Sequence, residues 1–149
     1  MILARYKVRV CVVDALPETR SARGFQTSLK RKCTIYLAYY TAGLEDKSVS
    51  PIAYDWKEGI VNCDRTRTLD ETFSRFQEAA LGESGGNTLP ADITRIRDYY
   101  KHLKSPERVF KVNKTGNQVP VYIERGPDHY AHAENYCQIA SQIRVGGLR

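Results

Sequence analysis

Residues 6–14, YKVRVCVVD, alternate polar and apolar and then run apolar. That pattern predicts a strand half-buried at its start and central at its end, stopping at Asp14. ALPETRSARGFQTSL follows as a turn and a short helix. Pro17 suits its first helical position, Glu18 complements the positive helix end, and Ala22, Phe25 and Leu29 fall on one face. KCTIYLAYY, residues 32–40, is β-branched and aromatic and predicts a second strand. A strand, a helix and another apolar strand make a βαβ unit, so the two strands are expected to be parallel. YDWKEGIVNC, residues 54–63, predicts a third strand with Gly59 as a bulge.

The next helix is predicted to start at Thr68, where Thr68 and Glu71 have capping-box spacing, and to bury Leu69, Phe73, Phe76 and Ala80. GESGGN breaks it. PADITRIRDYYKHL, residues 90–103, predicts a further helix with Ile93, Ile96, Tyr100 and Leu103 along one side. ERVFKVN and QVPVYIE, joined by KTGN, predict a β-hairpin. A last helix is expected over 128–143, with Tyr136, Ile139, Ala140 and Ile143 on its core face. With 149 residues and no internal repeat, the expected organisation is one α/β domain over residues 1–149.

Composition narrows the classes. Hydrophobic residues at 42% and charged residues at 27% are ordinary for a globular chain. No apolar run approaches the roughly 18–20 residues of a membrane span. Arg5, Lys7 and Arg9 interrupt the start, so neither a signal peptide nor a membrane anchor is expected there. Cys11, Cys33, Cys63 and Cys137 stand far apart with no C-x-x-C pair, which excludes zinc-ribbon spacing and suits small buried hydrophobes in a reducing cytoplasm. Twenty-three basic residues against 17 acidic ones give a net charge of +6, which favours a polyanionic partner.

Candidate chemistry gathers at two carboxylates. Asp14 lies where a parallel strand gives way to a helix, a place where α/β sheets collect ligands and also where aspartate caps turns. Asp128, after Gly126 and Pro127, opens the last helix; N-capping is its default role. Asp128 and His132 are four apart and His129 and His132 three apart, spacings that put side chains on neighbouring positions of a helix. Two carboxylates brought together repel unless a cation lies between them, and oxygen ligands favour Mg²⁺ or Mn²⁺, with histidine tilting the choice to Mn²⁺. Both histidines also fit solvent-facing or hydrogen-bonded positions. Arg65 and Arg67, ahead of a helix start, suit either a phosphate or a pairing with Asp64 or Asp70. SLKRK places Lys30 and Arg31 on a basic helix end, where cations offset the dipole or meet DNA. The pairs Tyr39/Tyr40 and Tyr99/Tyr100 fit base stacking and packing interfaces equally. KTGN is a turn, not a phosphate loop, and no glycine fingerprint for a nucleotide is present.

CVVDALPETRSARGF, IYLAYY, IVNCDRTRTLDETFSRF and DHYAHAENYCQIA, in that order over most of residues 6–143, resemble the C-terminal nuclease domain of tailed-phage terminase large subunits. The likeness is strongest to the group whose last motif reads DHYAHA. It implies a ribonuclease H-like mixed sheet with flanking helices, holding two divalent cations, Mg or Mn. It also implies an endonuclease that cuts concatemeric double-stranded DNA in the host cytoplasm. The partners it implies are a terminase ATPase domain, a small terminase subunit and a portal. By motif match, Asp14 resembles an acidic ligand at a strand end and Asp128 the acidic residue opening the last helix. His129 and His132 match the two histidines of the DHYAHA pattern, either of which would bind metal or arrange water; Arg65, Arg67, Lys30 and Arg31 would contact DNA. The family's first acidic ligand lies on an antiparallel meander that precedes the VVDALPE strand, and only five residues stand before Tyr6. The fold is therefore expected to be partial, with a weak or inactive nuclease and an uncovered edge at residues 6–13 that invites self-association. The competing readings are a non-catalytic α/β module that docks on DNA or packaging proteins, and a small-molecule-binding α/β domain.

Overall fold

A computed structural model describes residues 2–41 and 48–143. The chain is mixed α/β and falls into two compact units, residues 1–64 with 136–149, and residues 65–135.

The first unit is built on a four-stranded mixed sheet. Its strands are β1 (Val10–Asp14), β2 (Thr34–Thr41), β3 (Ile52–Asp55) and β4 (Ile60–Asp64), in the order β1-β2-β4-β3. β1 and β4 run parallel to β2, with Asp14 opposite Ala38 and Asp64 opposite Thr41, while β3 is antiparallel to β4. The parallel β1-β2 pair is the one the βαβ pattern predicts. β2 is central and buries Ile35, Tyr36, Leu37 and Ala38 in succession, as a strand covered on both faces must. Two helices supply the cover. The helix α2 (Thr19–Leu29) sets Leu29 against Cys33 and Ile35, with Cys11 and Val13 beside them. On the other face Tyr136, Ile139 and Ile143 pack on Val12, Tyr36, Ala38, Val61 and Cys63. These C-terminal residues belong to α5 (His129–Ser141) and the residues just past it, the predicted core stripe.

Several expectations on this unit need correction. The first strand begins at Val10, not residue 6, because the chain before it folds back. Ile2–Arg5 form a helical turn, α1, Lys7 takes φ 50°, and the Val8 N–H donates to the Leu3 carbonyl at 2.9 Å. Pro17 does not begin α2: the Asp14 Oδ1 accepts the Leu16 N–H at 3.0 Å, holding the chain in a turn, and helix starts at Thr19. The single strand expected over 54–63 is a hairpin. Asp55 Oδ1 accepts the N–H groups of Lys57 and Glu58, and Gly59 at φ 63° reverses the chain, a left-handed position that suits glycine.

The second unit contains α3 (Arg65–Ala80), a 3-10 turn at Ile93–Arg95, α4 (Tyr99–Leu103), the antiparallel hairpin β5 (Pro106–Val112) and β6 (Gln118–Glu124), and α5 as far as Asn135. The hairpin is as predicted, its loop gathered on Asn113 Oδ1, which accepts from the Thr115 and Asn117 N–H groups. Tyr122 ties β6 to α3: its ring lies 5.7 Å from Phe73, and its hydroxyl donates to Asp70 at 2.8 Å. Arg108 reaches the same carboxylate at 2.9 Å.

Here too two expectations fail. α3 runs directly out of β4 at Arg65, so Thr68 lies inside it, 2% exposed, and makes tertiary bonds instead of a capping box. The buried stripe shifts accordingly to Thr68, Leu69 and Thr72, leaving Ala80 exposed. The helix predicted over 90–103 is broken, because Ile96 is extended and Asp98 is left-handed at φ 60°. Ile93 and Tyr99 are buried while Ile96 and Tyr100 face solvent. Among the described residues no helix is long and apolar enough to cross a membrane.

Candidate functional site

In the first unit the parallel strands β1 and β4 both end on a carboxylate. Asp14 is exposed, and one of its oxygens is occupied by the Leu16 N–H. The turn-capping role that the sequence allows is therefore real. Alternation along β1 puts Asp14 on the face of Val12, which packs against α5. There the buried Tyr136 phenol lies beside Asp14 and Tyr40, and its ring stacks on Tyr40 at 5.6 Å. Burial, then the Tyr40 and Asp14 neighbours, push the Tyr136 pKa well above that of a free phenol. Cys63 is close by. Burial first, then the charges of Asp14 and Asp64, push its thiol up to about 12, so it stays protonated and unreactive at neutral pH. Asp64, 1% exposed, has the opposite alternation to Cys63. Cys33 and Cys63 are buried as expected, whereas Cys137 is exposed on α5, because it follows Tyr136 and turns off the core face.

In the second unit Asp128 opens α5 at 7% exposure and anchors an ionic cluster. Its Oδ2 lies 3.0 Å from His132 Nε2 and 3.7 Å from Arg65 Nη2. Arg65 in turn meets Glu124 at 3.3 Å and donates to the Tyr122 carbonyl at 3.4 Å. The same His132 Nε2 also lies 3.5 Å from Arg65 Nη2, so it faces an acceptor and a donor together. His129 is exposed and has a different neighbour: its ring sits 5.5 Å from that of His102. The two histidines of the DHYAHA stretch therefore serve separate surroundings.

The structure thus brings Asp128, His132 and Arg65 together. Asp14 belongs to the other unit, with Tyr136 as its neighbour. Arg67 is half-buried, while Lys30 and Arg31, just past α2, are exposed. Sequence reasoning treated Tyr136 only as core and missed it as a neighbour of Asp14. It weighed a phosphate against a pairing of Arg65 or Arg67 with Asp64 or Asp70, and did not foresee that Arg65 meets Glu124 and Asp128. No local signal marks either pairing.

The residues present have the chemistry of hard-cation ligands: carboxylate oxygens at a strand end and at a helix start suit Mg²⁺ or Mn²⁺. Among the described residues no three His, Cys, Asp or Glu side chains gather as a group that could hold a metal ion. Mg²⁺ needs no such cage, since it keeps several waters and binds through one or two carboxylates and substrate phosphates. No protein-family model, curated protein or solved structure matches this chain.

Proposed function

We propose that the chain belongs to a ribonuclease H-like nuclease domain of a phage terminase large subunit, acting on double-stranded DNA with Mg²⁺ or Mn²⁺. The observation that carries this reading lies within the first unit. The two motifs most specific to the resemblance meet there: Asp14 from CVVDALPE stands beside Tyr136 from DHYAHAENY. A mixed sheet with a covered central strand and a net charge of +6 support it.

When bound, a divalent metal would supply a water of lowered pKa and offset the charge on the leaving 3′ oxygen. Asp14 in the first unit and Asp128 in the second would each offer a divalent cation a carboxylate oxygen. His132, with Nε2 3.0 Å from Asp128 Oδ2, would fix that carboxylate's orientation, and Arg65 would limit its swing. His129 stands by as a further ligand. Lys30, Arg31 and Arg67 contact the DNA backbone without reading sequence. The ATPase domain, small subunit and portal are the partners of the complete machine.

Calorimetric titration with Mn²⁺ tests the site. Asp14→Ala and Asp128→Ala are each expected to weaken Mn²⁺ binding at least tenfold, and supercoiled-plasmid nicking is expected to be weak in the intact sequence and lost in both variants. Robust nicking untouched by either substitution would overturn the assignment. The second reading, a DNA-docking module, predicts salt-dependent DNA binding with no metal requirement.

The sheet edge supports a proposal on assembly. β1 is an edge strand, and among the described residues no backbone hydrogen bond is made to its outer side. Leu16 and Phe25, 57% and 42% exposed, lie near it. Such an edge recruits another strand, and self-association through residues 10–14, within the 6–13 stretch and Asp14, follows. Light scattering at rising concentration is expected to show a dimer that Val12→Pro abolishes. A monomer at every concentration sinks the edge proposal and leaves the nuclease reading standing.

A further inference from the structure

A second site lies at the opposite end of the first unit's sheet. A cavity of about 380 Å³ opens beside the β3-β4 turn, lined among others by Trp56, Tyr36, Lys30, Lys57 and Thr27. Asp14 pairs with Ala38, four residues along β2 from Thr34 at the cavity, about 13 Å away at about 3.3 Å per residue.

The aromatic wall is the unusual feature. Trp56 is 60% exposed although a tryptophan gains more than any other side chain by burial. One of its faces stacks on Tyr54 at 4.9 Å and 25°, and the buried Tyr36 ring stands at 88° to it with centroids 5.7 Å apart. The ring is therefore braced without being covered. Its turn is held as firmly. Gln26 Nε2 donates to the Ile35 and Gly59 carbonyls at 2.7 and 2.8 Å, and Arg23 donates to the Glu58 carbonyl at 2.8 Å. Gly59 takes φ 63°, a left-handed conformation that suits glycine, and a Cβ there would meet the Gln26 amide at 2.5 Å. A platform fixed in advance loses little freedom on binding. Lys30 and Lys57 add two cations to the lining, against one carboxylate from Glu58.

We infer that this cavity binds a nucleotide of single-stranded nucleic acid, with the base stacked on Trp56 and the flanking phosphates on Lys30 and Lys57. A planar aromatic face beside point cations recognises an aromatic anion. A duplex keeps its base faces stacked internally, so the occupant is a single strand, not double-stranded DNA. The inference uses no metal and none of the carboxylates, and it shares only Lys30 with the nuclease reading.

Trp56 is the sole tryptophan of the chain, so its fluorescence reports the site directly. Titrating the intact chain with a ten-nucleotide oligothymidylate in EDTA and low salt is expected to quench it saturably. By anisotropy of the labelled oligonucleotide, Trp56→Ala is expected to weaken binding about tenfold or more, and Trp56→Phe, which keeps a stacking face, by under about threefold. Lys57→Gln is expected to lower the slope of log affinity against log salt by about 0.7. Melting curves establish that each variant folds, and the wild-type quench alone decides the case if Trp56→Ala does not. An oligonucleotide that saturates by anisotropy without quenching Trp56, or binds Trp56→Ala unchanged, overturns the inference. Competition by thymidine monophosphate or inorganic phosphate at the oligonucleotide's own affinity also overturns it, in favour of a free-nucleotide or free-phosphate site.

Discussion

Ile139→Ala should lower the stability of the first unit by about 3 kcal/mol, one of the two largest losses expected for a single substitution here. Ile139 is 1% exposed and sits in the cluster that α5 forms with Val12, Tyr36, Val61 and Cys63. Removing three carbons there loses their transfer free energy and leaves a cavity that a two-sided sheet cannot collapse to fill; buried isoleucine truncations cost about 2–5 kcal/mol. At about 3 °C per kcal/mol for a chain of this size, the midpoint falls by about 10 °C. Tyr54 donates to the Ile139 carbonyl at 3.3 Å and packs against Trp56, so a melt followed by tryptophan fluorescence reads the unit that is loosened. Leu16→Ala, at a side chain 57% exposed, is the control and should shift the midpoint by under about 2 °C. Equal shifts for the two would mean that α5 does not cover the sheet as described.

That packing was legible because it follows from period. Tyr136, Ile139 and Ile143 repeat at helical spacing, and the run through 35–38 is apolar at every position, so a buried central strand and a covering helix follow. The misreadings share a different cause: a local bond or dihedral that overrides the pattern. YDWKEGIV reads as continuous strand until Asp55 captures two N–H groups and Gly59 goes left-handed. PADITRIRDYYKHL has helical spacing, but Asp98 at φ 60° ends it. Thr68 and Glu71 spell a capping box, yet the strand before them feeds straight into helix at Arg65. The site divides in the same way. Asp128 and His132 come together because i and i+4 on a helix adjoin, which spacing reveals. Asp14 beside Tyr136 and Arg65 beside Glu124 join segments far apart in sequence, and only tertiary packing brings them there. Trp56 was hidden for a further reason: within a presumed strand an aromatic residue looks like core.

Asn135→Ala should destabilise the second unit by about 3 kcal/mol, and the loss should be recoverable without restoring any polar group. Asn135 is fully buried, its Oδ1 accepting from the Thr72 hydroxyl at 3.0 Å and its Nδ2 donating to the Thr68 hydroxyl at 3.1 Å. Both threonines lie on α3 at 2% exposure or less, and Thr72 is also placed to donate to the Thr68 carbonyl at 3.0 Å. Truncating the amide opens a small void and strips a buried hydroxyl of its donor, and an unsatisfied buried group costs about 1–3 kcal/mol beyond the lost packing. Asn135→Asp should be worse than Asn135→Leu at neutral pH, since a carboxylate cannot donate to Thr68 and its charge would be stranded in a dry site. The decisive comparison is Thr68→Val with Thr72→Val and Asn135→Leu together. Exchanging the three residues together for apolar groups of similar shape removes both members of each bond described, so the triple variant should recover most of the stability lost in Asn135→Ala. Thermal unfolding by calorimetry measures all four. A triple variant as unstable as Asn135→Ala would mean that the amide holds α3 and α5 in register by its direction, and that satisfaction of buried donors is not the governing term.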